Sequence, residues 1–524
     1  MIKNPVLTGF HPDPSPLYHE GWFYIATSTF EWYPGVKLSR SRDLANWETV
    51  GYPLSRENLL YMEGNPKSTG IWAPCLTYSD GLFYLTYTDV KLWTGAAFKD
   101  TPNYITTATR LEGPWSDPVY VNCSGFDPSL FHAADGRKYF LNMEWDYRAR
   151  GKEQFSGILL TELDPKTLRP ISEPVKIWRG SEKGSVEGPH LCQKDGYYYL
   201  FTAEGGTEYE HAETVARARD ILGPYELHPN TFLSCAEHAP ESPLQKTGHG
   251  GIVCAEDGRW WYACLCGRPI LSQSGERRCP LGRETLINEV IWSDGWPYLK
   301  NGTLVPDEMF EGYGEKKPDE PKRYDFSRGE PADFALDFQS LRSAPKYAFI
   351  DGCLRLFGGN SPACAFGQSV FARRQQHFAF EAATCLTLHG RSFQKMAGLL
   401  YRYDDATYYF LRVAYDEARG QNCLGLLCSV QGRFSMPLGS EEIPVGAGPI
   451  HLRVRADHGN GVFSYALDGV KFTDIDYPLD VTLLSDECAT PLGFTGAFIG
   501  MQAVDLNDKT AWADFSYFQY TPLS

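Results

Sequence analysis

Glu20-Gly21-Trp22-Phe23-Tyr24, Asp80-Gly81-Leu82-Phe83-Tyr84, Asp135-Gly136-Arg137-Lys138-Tyr139, Asp195-Gly196-Tyr197-Tyr198-Tyr199 and Asp257-Gly258-Arg259-Trp260-Trp261 share one pattern, a tight turn followed by an aromatic run. The glycines fall at 21, 81, 136, 196 and 258, a period of 55 to 62 residues. An acidic residue and Gly between two strand-like runs is a strong short-range hairpin signal. A second echo follows in several repeats, as in Thr109-Arg110-Leu111-Glu112-Gly113-Pro114-Trp115 and Ala218-Arg219-Asp220-Ile221-Leu222-Gly223-Pro224-Tyr225, and reads as outer strands. Five units of this length, each with about four strands, describe an all-β, five-bladed propeller. A solenoid would need shorter repeats and capping units.

Outward from the repeat, the pattern stops after Lys300. Residues 1–310 are read as the propeller, and the charged, Pro-bearing stretch 311–323 (EGYGEKKPDEPKR) as a linker. Residues 324–524 alternate inward and outward faces without the long period, as in Gly352-Cys353-Leu354-Arg355-Leu356, and fit a β-sandwich of the jelly-roll or lectin type. The 13 Trp, 31 Tyr and 30 Phe, with 50 Gly and 35 Pro, suit short strands and tight turns. The formal net charge of −16 argues against nucleic acid or an anionic membrane as partner. No apolar stretch reaches a membrane span, and the N-terminus lacks the apolar region of a secretory signal. The fourteen cysteines show no CxxC pair and read as buried thiols of a reducing cytoplasm.

The strand opening each repeat should be innermost, and its first residues lie eight or nine positions before the glycine. They read His11-Pro12-Asp13-Pro14, Trp72-Ala73-Pro74, Phe126-Asp127-Pro128, Glu187-Gly188-Pro189 and Gly248-His249-Gly250. Propeller symmetry then places Asp13, Asp127 and Glu187 at one level around the axis. A single Asp before Pro is ordinarily an Asx-turn. Three carboxylates at matched offsets crowd a shared mouth, and that repulsion is tolerated where it serves chemistry. Two carboxylates across a sugar are the minimal glycosidase, and a third can raise the acid's pKa.

These motifs resemble glycoside hydrolase family 43, and within it the β-xylosidases with a C-terminal β-sandwich. The resemblance runs through Asn4-Pro5-Val6-Leu7-Thr8-Gly9-Phe10-His11-Pro12-Asp13-Pro14-Ser15, Ala26-Thr27-Ser28-Thr29-Phe30-Glu31-Trp32, Thr202-Ala203-Glu204-Gly205-Gly206-Thr207 and Cys279-Pro280-Leu281-Gly282-Arg283-Glu284-Thr285. It implies Asp13 as general base, Glu187 as general acid, and Asp127 as the carboxylate that raises and orients the acid. It also implies Arg283 as a ligand of the terminal sugar, Phe30 and Trp72 as pocket walls, and His249 as an axial histidine that in some relatives contacts a divalent cation such as calcium. Read from the residues alone, Arg283 is equally an ion-pair arginine, rings such as Phe30 and Trp72 are more often core, and His249 is equally a structural hydrogen-bonder. Gly493-Phe494-Thr495-Gly496-Ala497-Phe498-Ile499-Gly500 resembles a segment reaching back to the active site, which makes Phe494 and Phe498 candidate walls against ordinary sandwich core.

The resemblance implies an exo-acting, inverting xylan 1,4-β-xylosidase that releases D-xylose from the non-reducing ends of β-1,4-xylooligosaccharides and requires no cofactor. The rivals are an α-L-arabinofuranosidase or dual-activity enzyme, a retaining fructan hydrolase, and a non-catalytic sugar-binding propeller that would lack a carboxylate. The oligomeric state, a homo-oligomer included, stays open.

Overall fold

The computed structural model describes residues 1–93 and 97–523; Ser524, the last residue of the expected sandwich, lies outside it. Five separate four-stranded antiparallel sheets form the propeller. Blade I comprises Ser15–His19, Trp22–Thr27, Lys37–Ser41 and Glu48–Gly51, and blade II Gly70–Ser79, Leu82–Val90, Asn103–Ala108 and Val119–Asn122. Blade III comprises Ser129–His132, Lys138–Trp145, Phe155–Leu163 and Val175–Trp178. Blade IV is Glu187–Lys194, Tyr197–Glu204, Ala212–Ala218 and Glu226–Cys235, and blade V is Gln245–Cys254, Trp260–Gly267, Arg283–Ser293 and Trp296–Leu299. The five opening strands pack on one another in a closed ring around the axis.

The repeated turns sit between each blade's first and second strands. Glu20-Gly21, Asp80-Gly81 and Asp195-Gly196 are two-residue connections in which both residues have positive φ. This is the geometry whose twist matches antiparallel strands. In blades III and V only Gly136 and Gly258 are left-handed, in longer loops.

Among the described residues no strand is exchanged between the first and last blades. The N-terminal segment closes the ring instead: Ile2–Lys3 pairs with Met309–Phe310, and the Asn4 side chain donates to the carbonyls of Ile287 and Asp307, both at 2.8 Å. The charged segment after the propeller is docked. Tyr313 packs its ring on Phe23, with centroids 5.8 Å apart, and Lys317 N–H donates to Asn46 Oδ1 at 3.0 Å.

The C-terminal sandwich is a nine-stranded sheet facing a seven-stranded one. Its core includes Phe338, edge-on to Phe518. A second apolar cluster crosses the domain boundary and joins Phe10, Phe30 and Trp32 of the propeller to Leu341, Val370, Phe410 and Phe498 of the sandwich. The strand Trp32–Tyr33 pairs with Ser340–Leu341, and Lys246 bonds Glu487 at 2.7 Å. Burial of this size across a boundary fixes the two units against each other. Among the described residues no helix is long and apolar enough to cross a membrane.

Candidate active site

At the inner end of every blade the chain passes through one left-handed residue: Asp13 (φ 52°), Ala73 (φ 35°), Asp127 (φ 57°), Gly188 (φ 56°) and His249 (φ 51°). Pro follows the first four and Gly the fifth. Asp and His enter this region more readily than most residues, yet each non-glycine there stores about 1–3 kcal/mol of strain. Asp13 and Asp127 therefore occupy one equivalent position. Glu187 does not: Gly188 takes the left-handed place, and Glu187 stands one residue upstream, level with Pro12, Trp72 and Phe126. That corrects the expectation of a single ring of carboxylates. The physical reason is space, since a Cβ on Gly188 would come within 2.8 Å of the His249 ring.

The structure brings Asp13, Asp127, Glu187, Arg283, His249, Phe30, Trp72 and Phe494 to one cavity of about 290 Å³. Asp13 receives Arg283 Nη1 at 2.8 Å on Oδ1 and the Ser28 hydroxyl at 2.6 Å on Oδ2. Burial pushes its carboxyl up, but Arg283, His249 and Ser28 outweigh burial and hold it below the usual range. Asp13 thus stands ionised, with lone pairs left to accept a proton from water.

Glu187 is the opposite. It is 6% exposed, and its Oε1 has no hydrogen-bond partner. Burial first, then the charges of Asp127 and Asp13, push its carboxyl well above the ordinary value. Asp127 is also driven up by burial and by Asp13, and the two titrate together. One contact separates them: Asp127 Oδ2 accepts the Gly188 N–H at 3.1 Å. A donor to the carboxylate favours its ionised form, so the shared proton rests better on Glu187. The same bond holds the peptide next to Glu187 in place, so Asp127 both raises the Glu187 carboxyl and anchors the backbone beside it.

The walls are aromatic. Phe30 lies 5.5 Å from Trp72 and 6.1 Å from Phe494, while Trp72 is edge-on to Trp93 at 4.7 Å and to Phe126 at 5.4 Å. Arg283 reaches across the domain boundary, donating from Nη2 to the Phe494 carbonyl at 2.9 Å. Phe494 is therefore a wall supplied by the sandwich. Phe498, expected beside it, is not in the cavity: it is fully buried and stacked on Trp32 at 3.8 Å. It begins the strand Phe498–Asp505, and its ring enters the interdomain core.

Burial pushes the His249 imidazole down, toward its neutral form. Its Nδ1 lies 3.7 Å from Asp13, a carboxylate already bonded to Arg283. Among the described residues no group of three or more His, Cys, Asp or Glu side chains is disposed to hold a metal ion. These side chains do not by themselves make up the oxygen-rich ligand set of a protein-held cation.

The profile of Glycosyl hydrolases family 43 matches residues 2–297, and that of the Beta xylosidase C-terminal Concanavalin A-like domain matches residues 323–521. The chain belongs to glycoside hydrolase family 43. Among its family 43 relatives, "Xylosidase/arabinosidase 43B" of Humicola insolens is 45% identical over 100% of this chain and 98% of its own length. "Beta-xylosidase" of Bacillus subtilis (strain 168) is 42% identical over 99% of each chain. A solved structure, xylan beta-1,4-xylosidase from Bacillus Halodurans C-125, superposes with a TM-score of 0.95 at 43% identity, covering 99% of this chain and 100% of that one. As a family 43 member the protein is a glycoside hydrolase, and a binding-only propeller is set aside.

Sequence reasoning missed several members of this family 43 site. Ser28 donates to Asp13 and accepts the Ala73 N–H at 2.7 Å, linking the left-handed residues of blades I and II. Trp93, Phe126, Phe155 and Leu492 line the cavity, as do Ser185 and Glu208 at its polar side. Phe126 could have been found, because it occupies the same register as Trp72 and Glu187. Ser28 and Trp93 carry no comparable spacing signal.

Proposed function

We propose that this family 43 enzyme is an exo-acting, inverting β-xylosidase that removes D-xylose from the non-reducing ends of β-1,4-xylooligosaccharides. The observation that carries the reading is the opposite poise of two buried carboxylates in one aromatic-walled cavity. Arg283 and Ser28 hold Asp13 ionised, and burial beside Asp127 holds a proton on Glu187. Water bound at Asp13 gives it a proton and attacks the anomeric carbon. Glu187 gives its proton to the departing glycosidic oxygen, and the configuration inverts in a single displacement. Both carboxyls then exchange protons with solvent to restore the starting state.

The wall of Phe30, Trp72, Trp93 and Phe494 supports recognition of one terminal sugar ring, and Phe494 closes the bowl from the sandwich side. Arg283 has a second role here as a ligand of the sugar hydroxyls, consistent with its place beside Asp13. The fourteen cysteines, all free thiols, support work in a reducing compartment. A second reading, α-L-arabinofuranosidase side activity, is favoured by the relative named "Xylosidase/arabinosidase 43B". The test is product analysis on xylobiose and on aryl β-xylosides and aryl α-L-arabinofuranosides, with the anomer followed by NMR. Release of α-xylose as the first product is expected. First-formed β-xylose would overturn inversion, and no release from xylobiose would overturn the substrate.

A further inference from the structure

A second cavity, of about 490 Å³, opens between blade I, the N-terminal segment, the docked 311–323 segment and the sandwich, and it shares no lining residue with the catalytic one. Lys37, the first residue of blade I's third strand, lines it at 6% exposure. Its backbone pairs with Thr27, but among the described residues its amine has no hydrogen-bond or ion-pair partner. Arg373 and Arg374, at the end of the strand Ser369–Arg374, face it from the sandwich at 6% and 3% exposure.

Both guanidiniums bond only neutral acceptors. Arg373 donates to Tyr324 Oη at 3.1 Å and to Gln376 Oε1 at 2.7 Å, and its Nε has no partner. Arg374 donates to the Phe10 carbonyl at 2.9 Å and to Gln339 Oε1 at 2.8 Å, and it also neighbours the Tyr52 hydroxyl. The carboxylates on the walls are engaged elsewhere. Asp337 and Asp333 bond Lys322 at 2.7 and 3.2 Å, Asp319 bonds His377 at 3.1 Å, and Glu48 bonds Arg40 at 2.6 Å. Glu320 is exposed to solvent. Lys37, Arg373 and Arg374 thus face one another with no carboxylate in ion-pair contact, and Asp337, itself bonded to Lys322, is the one acidic charge that acts on Lys37 and Arg373. Buried charge left unpaired is costly, and a cavity of this size leaves room for the missing counter-charge.

We propose that this cavity is an oxyanion site taking a dianion of the phosphate class, held between Lys37 of the propeller and Arg373 and Arg374 of the sandwich. Arginine forks suit an anion with several oxygens, and lysine adds a point charge. The bound ion ties the two domains together at a distance from the catalytic carboxylates, so it acts on stability and leaves the chemistry alone.

The probe is inorganic phosphate, titrated into the full-length protein by calorimetry and by thermal unfolding, with chloride at matched ionic strength as control. One saturable site per chain is expected, with a melting temperature that rises with phosphate, exceeds the chloride control, and persists in saturating D-xylose. Lys37→Met should weaken phosphate binding on the order of tenfold or more, the loss of one charge-assisted bond, with kcat/KM on xylobiose unchanged. Arg373→Gln is the second variant should Lys37→Met fail to fold. Absence of saturable binding to the wild type, displacement of phosphate by D-xylose, or unaltered affinity in the folded variant would overturn the proposal.

Discussion

Replacing Glu187 with Gln keeps the shape of the side chain and removes its proton. The structure makes two linked demands of this change, one on rate and one on stability. Positioned general acids contribute about 10²–10⁴-fold, and each tenfold is about 1.36 kcal/mol, so the barrier for xylobiose should rise by about 2.7–5.4 kcal/mol. The alkoxide leaving xylobiose cannot depart without a proton. A nitrophenolate can, so the loss on an activated aryl xyloside should stay within about tenfold.

Stability should move the other way. Burial and the neighbouring Asp127 and Asp13 hold the Glu187 carboxyl above its unfolded value. A group with a raised folded pKa lends stability below its unfolded pKa and loses it as pH rises through the folded value. Wild type therefore loses stability from the ordinary carboxylate range upward, and Glu187→Gln does not. The variant should melt above wild type by a margin that widens as pH rises. The assays are kcat/KM on the two substrates and melting temperature at a series of pH values. Equal losses on both substrates would refute the acid assignment. A melting difference that narrows with rising pH would refute the buried-proton argument, whatever the kinetics.

Asp13→Ala should lose activity to a similar extent on both substrates, because water needs its base whatever the leaving group; a variant spared on the aryl substrate would reverse the two roles. Asp127→Asn removes the charge that, after burial, raises Glu187 most, so the alkaline limb of the kcat/KM profile should move to lower pH, and an unmoved limb contradicts the coupling. Ser28→Ala takes a 2.6 Å donor from Asp13, so the acidic limb should move to higher pH and the rate should fall; bonds to charged groups are worth about 1.5–3 kcal/mol. A chain ending near Pro321 uncovers Phe10 and Trp32, at about 1.5–3 kcal/mol each out of a typical total of 5–15 kcal/mol, and should fail to fold; a soluble truncated propeller with its full rate on xylobiose would show the sandwich dispensable.

The propeller was legible because its signal is local and repeated. A two-residue turn needs positive φ at both positions, and an acidic residue before Gly meets that need in blades I, II and IV. The carboxylates were legible for the same reason, as offsets within a repeating unit. The difference between Asp13 and Glu187 was not, because it turns on which residue of each blade adopts the left-handed conformation. In blade IV a glycine takes it, under the ring of His249 from blade V. That constraint comes from a neighbouring blade and leaves no trace in the spacing.

Phe494 and Phe498 carry this limit furthest. Both are aromatic, both sit among small residues, and they lie four positions apart. One lines the cavity, and the other stacks on Trp32 in a core built from two domains. What separates them is where the strand begins. From Phe498 onward the backbone pairs with both Ser369–Arg374 and Lys395–Arg402, which fixes that side chain against Trp32. Ahead of it, residues 493–497 run along the propeller rather than within a sheet: Phe494 N–H donates to Ser68 Oγ at 3.2 Å, and Ala497 N–H donates to the Pro280 carbonyl at 3.0 Å. Arg283 then bonds the Phe494 carbonyl with the same guanidinium that holds Asp13 ionised. The interface core and Asp13 are thus joined through one arginine, so loosening the sandwich disturbs the ionisation of Asp13 as well as the shape of the pocket.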